Sequence, residues 1–219
     1  MAKLTLTTVR TALKLALGNS LSFFNVSETV AGSEADAITQ TNAKLTAIIY
    51  DGLRILDRLK PLRAEMNINL IAGQNRYDLP ATTLDIIKHR WGEAQLSAYK
   101  PWNPLYPKKL PSARVSETDT ATQCVLSPCP SAAQLNALGN FMPLVISTQW
   151  HITETDTGTV SDKFLQWVVL ACQCAAMQRV LVSRAGDPLK QQQSKNLNPA
   201  AVKESLMAEL NEWAQGRGV

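Results

Sequence analysis

An α+β fold is what this sequence predicts: a helical bundle (N-terminal and C-terminal helices) with an inserted β-rich subdomain. Three observations lead there. Apolar residues recur at helical spacing over residues 4–59 and again beyond residue 160. Between these stretches they alternate with period two in short runs bounded by Pro, Gly and Asn, the pattern of half-buried strands. The run from Phe164 to Val182 is apolar almost all round, so its helix needs cover on most sides, which a bundle supplies. The expected boundaries are 1–62 and 160–215 for the bundle and 63–159 for the insertion with its long loops.

The first helix is expected over 4–17, with Leu6, Val9, Leu13 and Leu17 on one stripe, stopped by Gly18-Asn19. Residues 19–32 read as a loop anchored by Phe23-Phe24. Ser33 is a good N-cap, with Glu34 and Asp36 placed to favour the helix dipole. The helix it opens runs to Leu59 on a stripe of Ile38, Leu45, Ile49, Leu53, Leu56 and Leu59, with Asp51–Arg54 and Arg54–Asp57 at pairing distance. Pro61 lies just beyond its end. At ~1.5 Å per residue it is on the order of 40 Å long, which favours a bundle.

After Pro61 the character changes. Met66–Leu70 alternates as a strand, 72–75 is a turn, and Arg76–Pro80 is a short extended piece. Leu84–Trp91 reads as a strand with Leu84, Ile86 and Lys88 on one face and Ile87, His89 and Trp91 on the other, and Gly92-Glu93 turns the chain back. Four prolines between Tyr99 and Pro111 exclude helix and central strand, leaving a long loop that carries Trp102, Tyr106, Lys108 and Lys109. Gln123–Leu126 and Leu144–Ile152 read as strands, with 127–143 an excursion. A helix starts at Ser161 and ends at Gly186-Asp187-Pro188. The polar stretch Gln191–Lys195 reads as solvated. Asn198 and Pro199 open the last helix, whose stripe is Val202, Leu206, Leu210 and Trp213, and residues 216–219 read as a flexible end.

Composition narrows the function. The chain has 219 residues, enough for one domain or two small ones. Its 45% hydrophobic content rules out wholesale disorder. Charged residues make up 18%, below the usual share of about a quarter, which points to a surface that faces other protein. A net charge of +4 is too weak for a dedicated nucleic-acid binder. The N-terminus lacks the continuous apolar stretch of a signal peptide. Gln166, Gln173, Gln178 and Arg179 interrupt the most apolar segment, so no membrane span is expected. Cysteines of a non-secreted protein stay reduced. Cys172 and Cys174 point to different helix faces, and Cys124 and Cys129 could meet across a turn; the plain reading of all four is buried free thiols.

No catalytic, cofactor or metal site is predicted. Asp156-Thr157-Gly158 matches the triplet of aspartic proteases, but its flanks lack the apolar strand that such a triplet sits on, so it reads as a turn. Glu154 and Asp156 are two carboxylates where calcium wants about six oxygens or more. There is no phosphate-binding glycine loop, nucleophile elbow or zincin histidine pair. His89 and His151 have no acidic partner nearby in sequence and read as partly buried strand residues. Lys100, Lys108, Lys109 and Arg114 interleave with Trp102 and Tyr106, which suits base stacking or, more plainly, protein docking, since no basic helix supports the loop.

Three stretches carry a resemblance: Leu6–Gly18 with the long helix after it; Ile68–Pro80, containing Tyr77-Asp78-Leu79-Pro80, leading into the strand Asp85–Trp91; and the alanine-rich apolar helix Phe164–Val182 followed by a closing helix. In this arrangement the chain resembles the head-to-tail adaptor (connector) proteins of tailed bacteriophages. The Pro-rich loop at 99–111 and the 127–143 excursion depart from the family pattern. The resemblance implies a structural virion protein in a ring of twelve copies that joins the portal protein to tail or nozzle proteins. Packaged double-stranded DNA would pass through its lumen without specific recognition. On this expectation Trp102, Tyr106, Lys108, Lys109, Trp213 and Arg217 are partner-docking candidates, and Phe164, Trp167, Leu170 and Leu181 are subunit-packing candidates. Alternatives are a tail-completion or tail-tube component, a small enzyme with His89, His151 and Asp156 in its site, or a DNA-binding module.

Overall fold

The computed structural model describes residues 2–25, 31–98, 100, 102–103, 109–119, 121–155, 157–185 and 198–216. In chain order the elements are α1 (Leu6–Leu17), α2 (Glu34–Leu59), β1 (Leu62–Asn69), β2 (Arg76–Asp78), β3 (Thr83–His89), α3 (Glu93–Ala98), β4 (Ser112–Glu117), β5 (Thr122–Ser127), α4 (Ala132–Leu138), β6 (Phe141–Thr148), α5 (Leu165–Ala185) and α6 (Pro199–Ala214). The fold is α+β, with a helical part and a β subdomain. It divides into two compact units, Met1–Pro61 with Trp150–Val219, and Leu62–Gln149.

In the helical unit, the Thr5 hydroxyl accepts the Thr8 N–H and starts α1, whose Leu6, Val9, Leu13 and Leu17 are buried as their spacing requires. Residues Gly18–Phe23 form a 3₁₀ turn where a loop was expected; Phe24 after it is buried, Phe23 half-buried. The Ser33 hydroxyl caps α2 by accepting the Asp36 N–H. Its buried face is Ala37, Leu45, Ile48, Ile49, Gly52, Leu53 and Leu56. Ile38, expected on that face, is 53% exposed and Ala37 takes its place, while Leu59 is half-buried. Helix α5 follows a short 3₁₀ turn (Asp162–Phe164) and packs against α1, α2 and α6. By length and composition residues 162–183 are apolar enough to cross a membrane. Here neighbouring helices bury Val168, Ala171, Cys172, Cys174, Ala176 and Val180. On α6, capped by Asn198, Leu210 and Trp213 are buried and Leu206 half-buried; Val202, expected on the stripe, is 38% exposed.

Helix α2 meets α5 at Gly52. A Cβ there would lie 2.8 Å from the Cys172 backbone nitrogen and 2.9 Å from its Sγ, so the two backbones approach as closely as they do because this position has no side chain. Residues 150–159 were expected in the insertion but belong to the helical unit. The Leu6 N–H donates to Thr153 and the Leu4 N–H to Val160, and Ile152 and Val160 are fully buried.

The β unit holds two antiparallel three-stranded sheets, ordered β1-β6-β3 and β2-β5-β4. Its core is Ile68, Leu70, Tyr77, Leu79, Trp91, Cys124, Leu126, Met142, Leu144 and Ile146. Several elements were not foreseen. β1 starts at Leu62, four residues early; β4 pairs with β5; α3 follows Gly92; and the 127–143 excursion contains α4, opened by a capping box between Ser131 and Gln134. The strand expected at Leu144–Ile152 is β6, which ends at Thr148. β3 departs from strict alternation because its register against β6 shifts twice, between Thr83 and Asp85 and between Ile86 and Lys88. Ile86 and His89 are therefore half-buried while Ile87 and Lys88 face out.

Tyr77-Asp78-Leu79-Pro80 has a structural role. The buried Tyr77 hydroxyl accepts the Ile71 N–H at 3.1 Å and lies 3.0 Å from the Gln74 carbonyl, pinning the turn that contains Gly73 at φ +78°. Asp78 accepts from Gln123 Nε2, and the Pro80 carbonyl accepts the Thr83 N–H.

Candidate functional site

Of the aromatic and basic loop, residues 100, 102, 103 and 109–111 are described; Tyr106 and Lys108 lie outside the described residues. Trp102 is 82% exposed, and Lys100, Lys109 and, on β4, Arg114 are exposed too. The Asn103 N–H donates to the Lys100 carbonyl at 2.8 Å. Beyond the tip the chain is tied down: Gln134 Nε2 on α4 donates to the Lys109 carbonyl at 3.0 Å, Leu110 is half-buried against the β core, and Pro111 is buried. Gln134 also closes the α4 capping box, so one side chain starts a helix and holds the loop. Gly92, at φ +74°, leaves no room to spare there; a Cβ would sit 3.0 Å from Leu110 and 3.1 Å from Leu138. An indole left in water, on a stretch that also exposes lysines, has the chemistry of an interface anchor.

Trp213, expected to dock a partner, is instead 9% exposed and taken up inside the helical unit. Its ring stacks on Trp167 at 4.8 Å and meets Trp150 edge-on at 6.1 Å, and Trp150 meets Phe164 edge-on at 5.3 Å. Lys60 Nζ lies 4.5 Å over the Trp213 ring and donates to the Trp213 carbonyl. The Trp150 indole N–H donates to the Lys60 carbonyl at 2.8 Å, and its backbone N–H donates to Asp57 Oδ1 at 2.7 Å. Burial raises the Asp57 pKa above the usual carboxylate value, and the Trp150 N–H offsets part of that. The packing candidates Phe164 and Trp167 are half-buried in this same cluster; Leu170 is buried in the unit and Leu181 half-buried. Arg217 lies outside the described residues.

In the threonine-rich loop, Glu154 forms an ion pair with Arg10 and accepts from the Thr7 hydroxyl, and Asp156 lies outside the described residues. The hydroxyls of Thr153, Thr155 and Thr157 bond to one another within the loop. Gly158 is buried where a Cβ would fall 2.6 Å from the His151 carbonyl oxygen, so close packing explains the glycine of the triplet. Among the described residues no three His, Cys, Asp or Glu side chains come together as a metal site would need. His89 is half-buried with Nδ1 unpartnered among the described residues; His151, expected partly buried, is exposed. Cys124, Cys172 and Cys174 are buried free thiols, but Cys129 is exposed, which corrects the expectation for that residue. Burial pushes the Cys124 and Cys174 thiols up to about 11 and Cys172 further in the same direction.

A cleft of about 710 Å³ in the helical unit is lined by Phe23, Phe24, Ile48, Val180, Lys44 and Arg179, with Ser22 and Ser183 at its wall. Arg179 is held by Asp51 at 2.5 and 2.8 Å. Three separated segments build this cleft, so no local pattern announces it. The chain matches no protein-family model, and a search of the curated proteins returns no match.

Proposed function

We propose that the chain is a structural virion protein, a ring-forming head-to-tail adaptor that joins the portal to the tail and lines the DNA exit channel. It acts by packing, without catalysis, cofactor or membrane. It works in the neck of the virion after assembly in the host cytoplasm. Trp102 carries the reading: an indole 82% exposed on a proline-rich loop whose base is anchored to the β unit. Tryptophan is enriched at the centre of protein interfaces, where it supplies much of the binding energy. The resemblance in helix and strand order, with Tyr77-Asp78-Leu79-Pro80 at a pinned turn, supports the same reading. The low proportion of charge supports it too. DNA passes by weak, sequence-independent contact, since tight phosphate binding would hold it back.

The test is light scattering of the full chain, alone and mixed with a portal ring from the same source, for the wild type and for Trp102→Ala. Twelve copies joining the portal are expected; six would favour a tail-tube component, and none would overturn the reading. Trp102→Ala changes stability by less than about 0.5 kcal/mol, as expected for an exposed site. It should also weaken attachment to neck or tail partners, and unchanged attachment would remove the docking role.

A further inference from the structure

We propose that β1 is a homotypic edge, at which two copies of this chain pair antiparallel about a two-fold axis centred on Ala64. The four edge strands of the β unit are unequal. β2 has three residues, β3 carries two register shifts and Lys88, and β4 has six residues. β1 pairs with β6 over eight consecutive positions without a shift and contains neither proline nor lysine. Of the usual devices that keep an edge from pairing it has no bulge, proline or lysine, only two charges of opposite sign, Arg63 and Glu65.

The backbone direction decides which residues would pair. The Leu70 N–H donates to Asn140 on the β6 side. Donor and acceptor alternate sides along a strand, so Leu62, Ala64, Met66 and Ile68 face β6, while Arg63, Glu65, Asn67 and Asn69 turn theirs to the open edge. Arg63 and Glu65 are exposed, and neither has an ion-pair partner among the described residues. In an antiparallel pair centred on Ala64, Arg63 lies directly opposite Glu65 of the second copy and Glu65 opposite its Arg63. Both pairs exchange their backbone hydrogen bonds, and their side chains share one face, so opposite charges meet twice. Centring the pair on Met66 instead would set Arg63 against Asn69 and Glu65 against Asn67, with no charge match. The charge pattern thus selects a second copy of this chain, in one register, as the occupant. A two-fold contact uses both edges and stops at two, so it belongs to the free subunit and must open before any ring can form. The inference does not depend on the ring assignment.

Sedimentation velocity on the full chain, from low micromolar to about millimolar concentration, is the test, because one strand pair buries little surface and binds weakly. A reversible monomer–dimer equilibrium is expected. Glu65→Arg, which sets like charges opposite twice, should weaken it about tenfold or more, and the swap Arg63→Glu with Glu65→Arg should restore it. Amide exchange at Arg63 and Glu65 should slow as concentration rises, a readout that needs no variant. A monomer at every concentration would overturn the pairing. So would species larger than two, indifference to Glu65→Arg, or a swap that fails to restore association.

Discussion

In the helical unit α2 and α5 approach backbone to backbone at Gly52 and Cys172, and the rings of Trp150, Phe164, Trp167 and Trp213 pack together. In the β unit the core is held by register and by side chains that pin turns, Tyr77 at residues 71–74 and Gln134 at Lys109, while an indole and a long strand edge are left in solvent. The difference teaches how each unit is held. One relies on close helix contact and an aromatic cluster, the other on strand register and pinned turns, and both leave some large apolar side chains in solvent.

The largest test of this contrast is Gly52→Leu. The new side chain would have to displace the α5 backbone, not a flexible side-chain tip, so the helical unit should lose about 3 kcal/mol, the upper end of the usual overpacking cost, in denaturant unfolding. A variant as stable as the wild type would mean that α2 and α5 slide freely and that the close approach is not what organises the unit. In the β unit, Tyr77→Phe removes one hydroxyl and leaves the Ile71 N–H without its acceptor. A loss of about 1–3 kcal/mol is expected, with faster amide exchange at residues 71–74. No change at those amides would show that the turn is held by its glycine alone.

The smallest effect is a pH slope. The Asp57 pKa is raised by burial, so the folded state holds this proton better than the unfolded chain does. Its stabilising contribution is fully present below the unfolded carboxylate value and is lost as pH rises through the folded one. Asp57→Asn keeps an oxygen for the Trp150 N–H but has no proton to lose. It should flatten the stability profile on the side above the ordinary carboxylate value and leave the region above neutrality parallel to the wild type. A slope unchanged by the substitution would assign that titration to another group.

Much of the helical unit was legible because helix signals are local. Ser33 and Asn198 cap where they stand, α1 buries all four residues of its stripe, and Pro61 marks the change of character. The period-two run Met66–Leu70 likewise announced β1, but not its start at Leu62, because residues 63–65 face solvent and show no alternation. The irregular stretch around Trp102 was legible from its prolines and aromatics. The fate of Trp213 was not, since an aromatic on a helix stripe looks the same whether a partner or Trp167 covers it.

The sequence by itself determined the fold class, the helix caps, the α1 stripe and the exposed, proline-bound setting of Trp102, because each follows from backbone preference or short-range spacing. Tertiary structure alone decided the rest. The two shifts in β3 depend on pairing with β6. The glycine at 52 matters because Cys172 comes from a helix more than a hundred residues away, and Glu154 is spoken for because Arg10 reaches it from the other end of the chain. Contacts between residues far apart in the chain leave no period in the sequence, so packing had to show them.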